Sequence, residues 1–160
     1  MKAIFLIFFV FIGLPSMAQK NTYQVIKFPE LQQEINNPED HIRVFNFWAT
    51  WCRPCIQEMP YFEALNQEYS DVEVILISFD FKHEHERVGE FIEKRGIKST
   101  VKILDEIDFN AFIDKINSTW TGAIPATLII DADNEQYFYQ QSFEKEELFK
   151  LINKIKQQKL

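Results

Sequence analysis

The stretch Phe45-Asn46-Phe47-Trp48-Ala49-Thr50-Trp51-Cys52-Arg53-Pro54-Cys55 decides the reading of this 160-residue chain. Its apolar first part predicts a short buried strand over Arg43–Phe47. From Cys52 to about Tyr69 the period changes, and Met59, Phe62, Leu65 and Tyr69 fall on one helical face. Pro60 inside that helix predicts a kink, because it removes a backbone donor. A Cys-x-x-Cys therefore lies where a strand hands over to a helix. The first helical turn carries unpaired N–H groups and the positive end of the macrodipole, so a Cys52 thiolate is stabilised there. The thiolate is the attacking species in disulfide exchange. Cys52 is expected to be the exposed nucleophile, and Cys55, one turn on, the more buried resolving thiol. Pro54 suits the first helical turn. Arg53 adds a positive charge that favours the thiolate.

The chain holds two cysteines in all. A bridge across two intervening residues closes a tiny loop and constrains the unfolded chain little, so the pair is poorly placed as a structural staple. Half a zinc site is the rival reading, with two histidines supplying the rest. His83-Glu84-His85-Glu86 is a weak source of ligands, because residues two apart do not share a helix face.

Outward from the motif the elements alternate. Tyr23–Lys27 reads as a short strand, Pro29–Ile35 as a helix and Val72–Phe79 as a central buried strand. Glu84–Arg95 follows as a helix with Val88, Phe91 and Ile92 inward and Gly96 as its C-terminal cap. Val101–Leu104 is a short strand and Phe109–Ile116 a short helix or loop insertion. Ala126–Ile130 and Gln136–Gln140 form a closing hairpin. The last helix carries Leu148, Leu151, Ile152 and Ile155 inward, with Ser142 as its expected N-cap. Alternation of this kind predicts a three-layer α/β/α domain with a mixed central sheet.

The N-terminus is read separately. Met1-Lys2, then a run of about a dozen mostly apolar residues over Ala3–Leu14, then Pro15 and Ser16-Met17-Ala18, form the pattern of an export leader. Residues 1–18 are assigned to a signal peptide and 19–160 to the domain. The run is shorter than the roughly 18 apolar residues of a spanning helix, which disfavours an uncleaved anchor. The formal charge is −7, one unit more negative once Lys2 leaves, and no Lys/Arg stripe stands out. A nucleic-acid surface is therefore not expected.

The segment from Phe45 to Cys55, continued by Ile56-Gln57-Glu58-Met59-Pro60, resembles the active-site region of the thioredoxin superfamily, and within it the exported TlpA/ResA-like disulfide reductases. Gly122-Ala123-Ile124-Pro125-Ala126-Thr127 resembles the same family's cis-proline loop. The resemblance implies a thioredoxin-like fold and a thiol:disulfide oxidoreductase acting on protein substrates. It implies a cis Pro125 facing the cysteine pair, with Trp51, Pro54, Ile124 and Pro125 shaping the substrate groove. Trp120, five residues before Pro125, could line the same groove. Asn46 stands where cytoplasmic thioredoxins carry an Asp, and an amide cannot act as a base. Glu58 matches a glutamate of the TlpA/ResA-like branch. At i+3 from Cys55 it can share a helix face and accept that thiol's proton.

The expected catalytic set is Cys52, Cys55 and Glu58, with no metal and no cofactor beyond the Cys52–Cys55 couple. The expected form is an exported, periplasmic monomer, and the resemblance implies re-reduction by a membrane thiol carrier. The same residues serve reductase, oxidase or isomerase. A potential near about −270 mV marks a reductase and one near about −120 mV an oxidase. Two further readings stay open. One is a peroxiredoxin-like peroxidase, although its usual Pro-x-x-x-Thr-x-x-Cys pattern is not met: Thr50 stands two residues before Cys52 rather than three. The other is a metal-delivery module using Cys52, Cys55 and a histidine.

Overall fold

Residues 23–158 are described in a computed structural model; the leader assigned to residues 1–18 lies outside the described residues. The elements are β1 (Gln24–Ile26), α1 (Phe28–Asn36), β2 (Ile42–Trp48), α2 (Arg53–Glu68), β3 (Val72–Ser78), α3 (His85–Arg95), β4 (Thr100–Leu104), α4 (Ile113–Ile116), β5 (Ala126–Ile130), β6 (Gln136–Tyr139) and α5 (Lys145–Gln157). They build one six-stranded sheet in the order β1-β4-β3-β2-β5-β6. β1, β4, β3 and β2 pair in parallel, while β5 and β6 join antiparallel. This is the mixed sheet of a thioredoxin-like fold.

Strand period explains the two cores. Successive side chains point to opposite faces. Val44 and Trp48 of β2, with Val74 and Leu76 of β3, join Met59, Phe62 and Leu65 of α2, Val88 and Ile92 of α3, and Leu148, Ile152 and Ile155 of α5. Phe45 and Phe47, with Ile75 and Ile77, face the other way onto Phe28, Leu31 and Ile35 of α1, and onto Ile113 and Ile116 of α4. β2 and β3, buried on both faces, sit centrally, as their predominantly apolar runs favour.

α2 keeps Pro60 in its interior. One expectation changes. Ser142 is not the cap of α5. Glu144 takes that place, with no side-chain cap bond. The reason lies in Phe143, which is buried and packs edge-on against Phe62 and Tyr139. Anchoring that ring starts the helix later than the Ser suggests. Among the described residues no helix is long and apolar enough to cross a membrane.

The segment 109–120 is an aromatic wedge. Phe109 and Trp120 both stack on Phe79, at ring-centroid distances of 4.7 and 5.7 Å. Trp120 lies against Phe47 and donates its indole N–H to the Ala123 carbonyl at 2.9 Å. It is 3% exposed, so it braces the loop before Pro125 from beneath and does not line a groove.

Candidate active site

The sheet delivers the cysteines. β2 ends at Trp48, the chain turns through Ala49-Thr50-Trp51, and Cys52 becomes the N-cap of α2. That turn is clamped. Phe79 N–H donates to the Trp48 carbonyl at 2.8 Å, and Asp80 carboxylate oxygens accept from Thr50 N–H at 2.9 Å and Thr50 Oγ1 at 2.5 Å. Ser78 Oγ donates to the same carboxylate at 2.7 Å. The end of β3 thereby holds the loop that carries Cys52. Asp80, 1% exposed, was missed in the sequence; its signal was an acid placed two residues after an apolar strand.

Cys52 and Cys55 are joined in a disulfide, with their Cα atoms 5.3 Å apart. The Cys55 N–H donates to Cys52 Sγ at 3.4 Å. This is the helix-terminus donor that stabilises a thiolate once the bond is reduced. Cys52 is 5% exposed and Cys55 is sealed. The order of accessibility is the expected one, but Cys52 is far less open than an exposed nucleophile. Arg53 and Pro54 are exposed beside it, and Trp51 is 53% exposed.

Across β2 lies the other flank. β5 pairs antiparallel with β2, Ala126 opposite Phe47 and Thr127 opposite Asn46. Pro125, immediately before β5, therefore reaches the sheet edge from which Cys52 departs. The Ile124–Pro125 bond is cis, Pro125 is buried and Ile124 half-buried.

Glu58 follows Cys55 by three residues on α2 and is 1% exposed. One carboxylate oxygen accepts from Asn46 Nδ2 at 3.0 Å, and the other from Phe143 N–H at 2.8 Å. Burial pushes its carboxyl up from 4.5 to about 7, and the two hydrogen bonds pull only partly back. Asn46 also donates to Thr127 Oγ1 at 3.3 Å, while its own Oδ1 is buried without a partner. The network thus ties β2, α2, β5 and the entry to α5 together. Asn46, Glu58 and Thr127 stand in the quoted motifs; Phe143, 85 residues from Glu58, carried no signal. His83 is exposed and stacks on Phe81 in a 3-10 turn before α3.

Comparison with known proteins places this geometry. Residues 17–135 match the AhpC/TSA family. The thiol-disulfide oxidoreductase ResA of Bacillus thuringiensis (strain Al Hakam) is 33% identical over 117 residues, 69% of this chain and 61% of its own. The thioredoxin-like protein YneN of Bacillus subtilis (strain 168) is 36% identical over 92 residues, 55% of this chain and 49% of its own. The chain thus spans about half to three fifths of the length of these curated relatives. The solved structure of a DsbF homologue from Corynebacterium diphtheriae superposes with a TM-score of 0.61, covering 72% of this chain and 73% of that one. At 18% identity it speaks for the fold.

Proposed function

The chain belongs to the AhpC/TSA family, and from that premise we propose that it is an exported thiol:disulfide oxidoreductase that reduces disulfides of extracytoplasmic proteins through Cys52 and Cys55. The observation that carries the reading is the disulfide at the N-terminus of α2, with Cys55 N–H aimed at Cys52 Sγ. In the dithiol form, the Cys52 thiolate attacks one sulfur of the client's disulfide. A Cys52–client bond forms, the client's S–S bond breaks, and its second sulfur leaves as a thiolate. Cys55, deprotonated, then attacks Cys52 Sγ, restoring the disulfide and expelling the client's first sulfur as a thiolate. Two electrons pass to the client, whose thiolates take up the two protons given up by Cys52 and Cys55. The Glu58 carboxylate, three residues on along α2, takes the proton of Cys55 in this reading, which its burial and raised pKa of about 7 support.

The oxidised protein needs a dithiol donor to turn over again. A membrane thiol carrier fits an exported reductase, and monomeric action fits a site built from one chain. Export is supported by the leader pattern of residues 1–18. No cofactor enters this chemistry beyond the cysteine couple. The peroxiredoxin spacing is not met, since Thr50 stands two residues before Cys52 rather than three, and its hydroxyl donates to Asp80.

The test is trapping. Cys55→Ser is expected to accumulate mixed disulfides on Cys52 in the cell, and Cys52→Ser to abolish both trapping and the reduction of a protein disulfide. Full activity in Cys52→Ser, or peroxide consumption by the reduced protein at the rate of disulfide reduction, overturns the reading.

A further inference from the structure

Among the described residues, four large apolar side chains stand exposed: Val25, Trp51, Phe81 and Ile107. Three of them share one edge of the sheet. Trp51 follows the last residue of β2 by three positions, Phe81 that of β3 and Ile107 that of β4. β2, β3 and β4 are parallel neighbours, with Trp48 opposite Ser78 and Ser78 opposite Ile103. Their C-terminal ends therefore lie side by side, and the three side chains follow them in a row that starts beside Cys52.

The row is supported from beneath. Asp80 ties the loop bearing Phe81 to the loop bearing Trp51. Phe109, stacked on buried Phe79, meets the Phe81 ring edge-on at 6.1 Å and so joins the β4 loop to it. Even so, Phe81 remains 48% exposed and Ile107 is 96% exposed. Neither contributes to the core in proportion to its size.

We propose that Trp51, Phe81 and Ile107 form a ledge that binds an extended, unfolded client segment bearing apolar residues within a few positions of its disulfide cysteine. The inference rests on the oxidoreductase reading and adds the chemistry of its substrate. Any client that reacts with Cys52 must touch this edge, so the ledge is continuous with the point of exchange. Neighbouring strands are about 4.8 Å apart, so the row spans about 10 Å, or about three residues of extended chain. A small disulfide cannot cover it. Apolar residues beside a cysteine are available before a client has buried them, which selects clients that are not yet folded. The ledge lies on the β3 side of Cys52, whereas the Ile124–Pro125 loop lies on the β5 side.

The test uses the reduced full chain and two short peptides with the same disulfide, one with Leu and Phe after the cysteine and one with Ser and Gly. Dithiobis(nitrobenzoate) serves as a small-disulfide reference. The wild type should prefer the apolar peptide about tenfold in kcat/KM, through KM, as burial of one large side chain provides. Phe81→Ser and Ile107→Ser should each cut the preference severalfold. Val25→Ser, on the far edge strand β1, should leave it intact. Ile107 is open enough that its replacement cannot unfold the domain. An equal preference in wild type and both variants overturns the ledge. So does a wild-type dimer that Ile107→Ser dissociates, since a second copy would then be the occupant. A wild type that fails to exchange even with the small disulfide refutes the oxidoreductase reading itself, and the ledge falls with it.

Discussion

Replacing Glu58 with Gln tests the site's electrostatics through stability. The wild-type carboxyl sits at about 7 in the folded protein against an ordinary 4.5. At roughly 1.4 kcal/mol per tenfold change in proton affinity, that difference corresponds to about 3 kcal/mol. The sign follows from proton counting. Below about 4.5 both the folded and the unfolded chain hold the proton, and Glu58 contributes no pH dependence. Between about 4.5 and 7 the unfolded chain releases it while the fold retains it, so stability falls as pH rises. Above about 7 both are ionised and the full penalty of a buried carboxylate applies. The neutral amide of the variant carries no such penalty. Its nitrogen would face one of two donors, but Asn46 offers a remedy. Turning the Asn46 side chain over brings its unpartnered Oδ1 toward the introduced amide and lets it accept from the Thr127 hydroxyl as well. If Asn46 does not turn, about 1 kcal/mol is lost. Urea unfolding of both oxidised proteins across pH should therefore give a difference near zero in acid that grows to about 2–3 kcal/mol in favour of the variant above about pH 7. Subtracting the two profiles cancels every other titrating group. A difference that stays flat with pH, or that turns against the variant as pH rises, refutes the assignment of a buried carboxyl held near neutrality.

Three other outcomes are expected. Asp80→Ala removes the acceptor of Thr50 N–H, Thr50 Oγ1 and Ser78 Oγ, and should cost about 3 kcal/mol or more in denaturant unfolding; a loss below about 1 kcal/mol would show that water replaces the clamp. Gly96 caps α3 at φ +66°, with open space where a Cβ would stand. Gly96→Ala should therefore cost only the backbone term of about 1 kcal/mol, and a loss several times larger would point to a contact the open space does not contain. Reduction of the disulfide should move the Glu58 carboxyl to a higher titration midpoint, read from its carboxyl carbon resonance in both redox forms; identical midpoints would show that the sulfurs and the carboxylate do not interact.

The sequence exposed those features whose cause is local. The strand over 43–47, the helix after Cys52 and the αL cap at Gly96 each follow from a period or a single residue type, and the structure places them within a residue or two. What escaped depends on partners distant in the chain. Ser142 is a good cap by type, but the burial of Phe143 decides where α5 begins. Trp120 has the composition of a groove residue, yet Phe47, Phe79 and Phe138 enclose it. The Asp80 clamp joins loops 30 residues apart, and nothing in either loop announces the other. Cys52 could be placed at a helix start from spacing, but its small exposure depends on neighbours that spacing does not specify.

The same long-range contacts decide how charge is handled at the site. Glu58 receives its hydrogen bonds from two neutral amides, Asn46 and the Phe143 backbone. A neutral donor stabilises a buried carboxylate less than a cation does, which is why burial prevails and the group sits near neutrality. A carboxyl so poised responds to charge appearing one helical turn away. With Cys52 and Cys55 bridged, no thiolate competes with it, and ionisation is opposed by burial alone. Once the bridge is opened, a Cys55 thiolate and a Glu58 carboxylate would be like charges in a low-dielectric interior, and each would disfavour ionisation of the other. In the mechanism proposed above, Glu58 can take the proton of Cys55 only while its carboxyl is ionised. An arginine in place of Asn46 would hold Glu58 ionised at all pH values and remove this reciprocity; the amide preserves it.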